Sequence, residues 1–346
     1  MPAQTPVFNG HNDALTKDDY AGLAEGRDGG HLDVPRMRAG GVRGGIFAVF
    51  VESSARAREN RVERDDGVVE FEPAPPVEHD VAAGRATEAA GRLLALERSG
   101  AMRVAREASD LDRAHDDDGP PVAVLHIEGA EAIDPELEAL ELWYAGGLRS
   151  IGLVWSRSNA FGHGVPFISP STPDTGPGLT DAGRALVRRC AELGIVVDLS
   201  HLNEAGFWDV ASLEAGPIVA SHSGVHALCP TSRNLTDRQL DAVGESGGLV
   251  GIVFACPFLR RDFADDPDTP IELIAQHARY VADRIGVEHV ALGSDYDGAT
   301  IPAALGDVAG TPRLLDALRG AGFDEREVSR IAWDNWRRVL GEWWVA

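Results

Sequence analysis

His11 and Asp13 close the first apolar run, Val7-Phe8-Asn9-Gly10-His11-Asn12-Asp13. In an extended chain, residues i and i+2 face the same side, so an imidazole and a carboxylate are aimed at one point. That ligand mix suits a catalytic zinc better than a structural one. A His-x-Asp pair alone arises often by chance, and its weight comes from similar residues at the ends of later apolar runs. Glu128 follows Val124-Leu125-His126-Ile127, and His201 follows Val197-Asp198-Leu199-Ser200. His222 follows Val219-Ala220-Ser221, and Asp295 follows Ala291-Leu292-Gly293-Ser294. Each has a plainer explanation. A histidine closing a strand commonly serves a hydrogen bond, Glu128 before Gly129 can cap a helix, and Asp295 stands beside an Asp-Gly turn signal. Those explanations must hold separately at each strand end, whereas a metal site accounts for all of them together.

The elements that must bring these residues together are short apolar runs alternating with helical patterns. The runs are Pro6–Asn9, Gly44–Val51, Pro121–Ile127, Ser150–Trp155, Ile195–Leu199, Ile218–Ser221, Gly248–Phe254 and His289–Gly293. Rich in Val and Ile and apolar nearly throughout, they read as parallel strands covered on both faces. Helical periodicity predicts helices over Ala182–Leu193, Thr236–Glu245 and Ile271–Ile285; Thr180-Asp181 caps the first and Gly194 closes it. Eight strands alternating with helices predict an α/β fold, a (β/α)8 TIM-type barrel, whose active site lies where strands end. An open doubly wound sheet is the alternative, but no Gly-x-Gly-x-x-Gly follows an early strand. Two insertions interrupt the alternation: Ser53–Asp80, charged, and Ser156–Gly178, rich in Gly, Pro, Ser and Thr. Both follow strands, so in a barrel they rise from the catalytic face and can cover a pocket. With no repeat and no linker, the chain reads as one domain over 1–346.

The 346 residues carry 55 acids against 32 bases, a formal charge of −23, which disfavours nucleic acid and anionic membrane surfaces as partners. No apolar stretch reaches membrane-spanning length and no secretory leader is evident, since the first apolar run already carries His11. Cys190, Cys229 and Cys256 are too few and too scattered for a disulfide framework and read as buried thiols. A cytoplasmic enzyme or binding protein is the expectation. Three histidines with two or three carboxylates exceed the protein ligands of one catalytic zinc. Two ions about 3.5–4 Å apart, sharing a ligand, would use the set fully. Some binuclear barrel hydrolases bridge their metals through a carboxylated lysine. The only lysine here, Lys17, lies outside every strand run, which leaves Glu128 as the candidate bridge.

Taken together, the motifs resemble those of the membrane (renal) dipeptidases, binuclear zinc enzymes of the amidohydrolase superfamily. The resemblance runs over nearly the whole chain. It is carried by Gly10-His11-Asn12-Asp13, His126-Ile127-Glu128-Gly129 and Gly178-Leu179-Thr180-Asp181-Ala182-Gly183-Arg184 leading into Gly194–His201. It continues through Ser221-His222-Ser223, Ser232-Arg233-Asn234, Gly247–Phe254 and Gly293–Gly298, and ends in Asn335-Trp336-Arg337-Arg338-Val339-Leu340-Gly341. The resemblance implies two Zn2+ ions per chain, one held by His11 and Asp13, the other by His201 and His222, with Glu128 bridging. It further implies that Asp295 is the acid/base and that Arg233 binds the terminal carboxylate of a small dipeptide.

Elementary chemistry fits those roles. Two cations bring a shared water toward ionisation near neutral pH and polarise a peptide carbonyl. A strand-end carboxylate can shuttle the proton, and a guanidinium fork matches a carboxylate. One departure stands out. The best-studied members of that family carry a histidine just after the fourth strand that contacts the carbonyl oxygen in the transition state; here that place is Trp155, in Leu153-Val154-Trp155-Ser156-Arg157-Ser158-Asn159. Tryptophan can line a pocket and donate one hydrogen bond but cannot act as an imidazole. His163, in Gly162-His163-Gly164, is the candidate replacement, and Trp155, Asn159 and His163 join Arg233 as expected substrate contacts. The departure keeps open an amidohydrolase acting on another small amide, such as a β-lactam, an N-acyl amino acid or a cysteinyl-glycine adduct. An inactive metal-binding barrel is a further alternative, disfavoured because the proton shuttle Asp295 is retained. Trp333, Trp336, Trp343 and Trp344 in the tail can form a homodimer contact or pack on the barrel's own helices.

Overall fold

The computed structural model describes residues 4–53, 61–116 and 119–344. Its strands are β1 (Val7–Asn12), β2 (Val42–Phe50), β3 (Arg61–Glu63), β4 (Val69–Phe71), β5 (Arg103–Val104) and β6 (Val122–Glu128). They continue as β7 (Leu148–Gly152), β8 (Ile168–Ser169), β9 (Val196–Asp198), β10 (Val219–Ser223), β11 (Leu249–Ile252) and β12 (Val290–Leu292). Eight of them pair in the order β1-β2-β6-β7-β9-β10-β11-β12, and β5 pairs with the first residues of β6. All these pairings are parallel. Each run predicted as a strand overlaps one of the eight, and both faces are buried because helices cover the outside while side chains fill the inside.

The sheet closes by main-chain contacts between its first and last strands. Asn12 and Tyr296 form a parallel bridge, Asp13 N donates to Tyr296 O at 2.9 Å, and Asp295 N donates to His11 O at 3.2 Å. Asn9 Oδ1 accepts from Ser294 N at 3.0 Å and Ser294 Oγ donates to His11 O at 2.9 Å. Gly10 lies at this seam, where a Cβ would overlap the Trp336 ring and the Leu292 carbonyl. The fold is therefore a nearly closed (β/α)8 barrel. Closure is also what brings His11 beside Asp295, residues far apart in the chain.

The helices obey their local signals. Asp181–Leu193 begins with Thr180 Oγ1 accepting from Gly183 N and ends at Gly194 in the left-handed region, φ 70°. Asp237–Glu245 opens with a capping box between Thr236 and Gln239, and Glu272–Ile285 follows its predicted span to within a residue. The tail tryptophans pack on the barrel itself. Trp336 Nε1 donates to Leu292 O and Trp343 Nε1 to Pro217 O, both at 3.0 Å, and Trp333 meets Phe8 edge-on at 5.7 Å. The cysteines are buried and free; burial pushes Cys229 up to about 12 and Cys256 to about 11. Among the described residues, no helix is long and apolar enough to cross a membrane.

The two insertions build one structure. β3 and β4 come from the first, β8 from the second, and they pair antiparallel as β3-β4-β8. Residues 54–60 of the first insertion lie outside the described residues. Phe71 N donates to Phe167 O at 3.0 Å, joining the two loops above the barrel.

Candidate active site

Alternation along the strands and the backbone just beyond them set the floor of the site. Glu128 ends β6, His222 lies in β10, and His11 lies in β1 with Asp13 just past it. His201 and Asp295 follow β9 and β12 in the left-handed region, at φ 69° and 61°. Such backbone costs energy in a non-glycine residue and persists where the surroundings hold it, commonly at functional sites. Gly298 makes room for two carboxylates, since a Cβ there would overlap both Asp13 Oδ2 and Asp295 Oδ1.

These side chains converge. His201 Nε2 and His222 Nε2 stand 3.1 Å apart, and Glu128 Oε1 lies 3.1 Å from the first and 3.4 Å from the second. His11, whose ring stacks on that of His222 at 3.8 Å, has its Nε2 3.7 Å from Glu128 Oε1 and 3.8 Å from Asp13 Oδ2. Ligand atoms fall within 4.8 Å of one another in the groups Glu128-His201-His222, His11-Asp13-Glu128 and His11-His222-Asp295. Glu128 thus belongs to two neighbouring groups, as a bridging ligand must.

The hydrogen bonds behind the imidazoles decide which nitrogen faces inward. Ser156 Oγ lies 2.7 Å from His201 Nδ1, and Ser221 Oγ lies 2.8 Å from His222 Nδ1. With Nδ1 occupied by a serine, Nε2 is the atom each ring presents to Glu128. If both rings donate through Nδ1–H, then two nitrogen lone pairs and a carboxylate oxygen crowd one spot with no hydrogen among them. A cation resolves that crowding. Ligand atoms roughly 2.0–2.1 Å from a tetrahedral ion stand about 3.3 Å from each other, and the observed spacings of 3.1, 3.1 and 3.4 Å match. His11 adds to the case: it is fully buried, and neither ring nitrogen has a hydrogen-bond partner among the described residues. Unpaired buried polar atoms are costly, and a metal ligand is one group that arrives in this state.

Electrostatics point the same way. Burial first, then Asp13 and Asp295, hold the Glu128 carboxyl well above its ordinary range. Burial also holds His11 and His222 well below theirs, with His126 and Arg233 adding to the effect on His11, and His11 and Arg233 to that on His222. Crowded carboxylates and neutral imidazoles are what a divalent cation relieves. Nitrogen and carboxylate donors without thiolate fit zinc in a catalytic role.

A cavity of about 1330 Å3 opens above the floor, and Asp13, Glu128, His201 and Asp295 reach its surface. One wall is aromatic. Trp155 lies 5.7 Å from the His201 ring and 5.6 Å from Phe167, and Phe167 lies 5.5 Å from Phe258. Phe71 and Phe263, 5.9 Å apart, extend this wall.

Arg233 sits just behind the lining. It is buried, its guanidinium 5.7 Å from the Phe258 ring, donating from Nη1 to Ser223 Oγ and from Nη2 to His222 O, both at 2.9 Å. Its Nε has no partner among the described residues, and burial lowers the group to about 10 against the pull of Asp295, Glu128 and Asp198. Two further expected contacts, like Arg233, are absent from the cavity lining. Asn159 closes its own loop, donating to Leu153 O and accepting from Phe161 N, and the His163 ring bonds the exposed Ser158 hydroxyl. Their positions follow from loop turn chemistry, which fixes both side chains locally.

Sequence reading passed over several residues that shape the site. His126 and Asp198 lie beneath the floor, and with His11 they form another cluster of ligand atoms within 4.8 Å. Their signal was present: a polar residue two before Glu128 on the same strand face, and a carboxylate inside an apolar run. Ser156 and Ser221 behind the imidazoles carried no comparable signal, nor did Phe71 and Phe167.

Comparison with known proteins agrees with this geometry. The family model described as membrane dipeptidase (peptidase family M19) matches residues 1–344. A Klebsiella pneumoniae protein of the pqqA 5′ region is 48% identical over 246 residues, 71% of this chain and 90% of that protein. The crystal structure of a Rhodobacter sphaeroides metallo peptidase, liganded with a phosphinate mimic of the dipeptide L-Ala-D-Ala, is 44% identical. It superposes with a TM-score of 0.93, covering 99% of this chain and 100% of that one. The structure of the metallo peptidase dipeptidase AC is also 44% identical, with a TM-score of 0.91 over 99% of this chain and 100% of that one.

Proposed function

The chain belongs to the membrane dipeptidase family of metallopeptidases, and from that premise we propose that it is a binuclear zinc dipeptidase cleaving small dipeptides with a free C-terminal carboxylate. One observation carries the reading: Glu128 Oε1 lies 3.1 Å, 3.4 Å and 3.7 Å from the Nε2 atoms of His201, His222 and His11, at the floor of a cavity that Asp295 also lines. In this reading His11 and Asp13 hold one ion, His201 and His222 the other, and Glu128 serves both. Bound there, the two cations supply an acidified water and a polarised scissile carbonyl. Asp295 accepts the proton of the attacking water and returns it to the leaving amine nitrogen. Arg233, with its buried unpartnered Nε, pairs with the substrate's terminal carboxylate. Trp155 contributes wall rather than a second imidazole, and Asn159 and His163 keep roles within their loop.

A second reading is favoured by the size of the cavity. About 1330 Å3 exceeds the roughly 300–1,000 Å3 of most small-molecule sites, so an amide bulkier than a simple dipeptide also fits. One experiment separates the two. Zinc-loaded protein is screened against L-Xaa-L-Xaa and L-Xaa-D-Xaa dipeptides beside N-acyl amino acids, a β-lactam and a cysteinyl-glycine adduct, with elemental analysis of the same sample. The dipeptidase reading expects close to two zinc per chain and fastest turnover on dipeptides. Activity that persists in folded, metal-free protein would sink the metal reading. Turnover confined to the other amides would hand the site to the second one.

A further inference from the structure

Behind His222 lies a chain of hydrogen bonds with only one consistent direction. Asp198, buried at the end of β9, accepts from two main-chain donors through Oδ1: Ser200 N at 3.0 Å and Ser221 N at 2.8 Å. Its Oδ2 faces Ser221 Oγ at hydrogen-bond distance. A carboxylate only accepts, so Ser221 gives its hydroxyl hydrogen to Asp198. That leaves the Ser221 oxygen as an acceptor for His222 Nδ1, 2.8 Å away. His222 must then carry its hydrogen on Nδ1 and present a lone pair at Nε2, the atom 3.4 Å from Glu128 Oε1. The other hydroxyl near Ser221, Ser200 Oγ at 3.4 Å, is the weaker alternative because a carboxylate is the stronger acceptor.

We infer that Asp198 and Ser221 are positioning residues: a carboxylate–hydroxyl–imidazole relay that fixes the tautomer of His222 and thereby its capacity to hold a metal ion. The inference rests on reading His222 as a ligand. His201 is arranged differently, with Ser156 behind it, so the relay is specific to the His222 side. Partners of this kind set the orientation and basicity of ligating histidines.

The sharpest test is Asp198→Asn, which keeps shape and inverts hydrogen-bond direction. The two main-chain N–H groups on Oδ1 require the amide oxygen in that place, so the amide NH2 must face Ser221 Oγ. Ser221 then accepts from the amide and has its own hydrogen left to donate, and His222 Nδ1 at 2.8 Å is a nearer acceptor than Ser200 Oγ at 3.4 Å. The imidazole hydrogen moves to Nε2, and the lone pair offered to the metal is gone. An asparagine in place of the carboxylate disables a serine–histidine pair through the wrong tautomer in the same way.

The measurement is nitrogen-15 NMR of the histidine rings in metal-free protein near pH 8, beside zinc titration against a chelator. Wild type is expected to show His222 as Nδ1–H, and Asp198→Asn as Nε2–H with zinc affinity at one of two steps lowered about 10–100-fold. Nε2–H in wild type, or an unchanged tautomer in the variant, overturns the relay. Should Asp198→Asn not fold, Ser221→Ala removes the same link: loss of the Nδ1–H preference supports the relay, and its retention overturns it. Ser156→Ala should leave the His222 tautomer as it is. Since the tautomer is read without metal, failure of the relay is distinct from failure of wild type to take up zinc, which would instead sink the ligand reading.

Discussion

The floor and the roof of the cavity are built on opposite plans. The floor rests on parallel strands whose ladder bonds run round the barrel, and its chemistry-bearing side chains are nearly all buried. The roof is β3-β4-β8, strands of two or three residues drawn from two insertions and paired with each other rather than with the barrel. A floor of this kind holds ligand atoms within tenths of an ångström, as metal and proton transfer require. A roof of this kind can change sequence without disturbing them, which suits a surface that selects substrates. One side chain ties the two together. Arg157, at the root of the second insertion, donates from Nε to Glu131 Oε1 at 2.7 Å, from Nη1 to Ser53 Oγ at 3.3 Å and from Nη2 to Val51 O at 2.8 Å. Both insertions and the loop after β6 therefore share one buried ion pair.

This contrast can be broken by variants in each region. The largest effect is expected in the floor. Asp295→Asn should lower kcat about a hundred- to ten-thousandfold while zinc content stays at its wild-type level. Turnover near wild type would remove Asp295 from proton transfer. Next comes the tie between the regions. Glu131→Ala leaves the Arg157 guanidinium buried without its carboxylate, and a loss of about 3–5 kcal/mol is expected in denaturant unfolding. A loss under about 1 kcal/mol would mean the pair behaves as an exposed one. Arg233→Ala, at the boundary of floor and wall, should cost about a hundredfold in kcat/KM on free-carboxylate dipeptides and far less on their C-terminal amides. Equal losses on both would show that Arg233 does not read the carboxylate. The smallest effect belongs to the roof. Phe167→Ala should raise KM for apolar dipeptides about tenfold, the scale of losing part of a buried aromatic contact, with kcat and zinc content little changed. A matching fall in kcat or in zinc content would mean that roof and floor are coupled more tightly than their separate ladders suggest.

Much of this was legible in the linear chain, for identifiable reasons. The strand runs were apolar and bounded, and helix ends carried their own caps, as at Thr180, Gly194 and Thr236. Residues at strand ends such as His11, Glu128 and His222 could be singled out because a barrel gathers those ends on one face. Other features were not legible because they depend on distant partners. Nothing local says that Phe71 and Phe167 will meet in one wall of the cavity. Nor does anything local say that His163, beside the expected site in sequence, will turn to Ser158 instead.

The sequence by itself determined the barrel and the identity of its strand-end donors, since periodicity and capping are properties of neighbouring residues. Tertiary structure alone decided how close those donors stand, which nitrogen each histidine presents and what encloses them. The physical reason is the reach of each interaction. A strand needs only its own alternation, whereas the hydrogen-bonded set of Asp198, Ser221 and His222 exists only once β9 and β10 lie side by side.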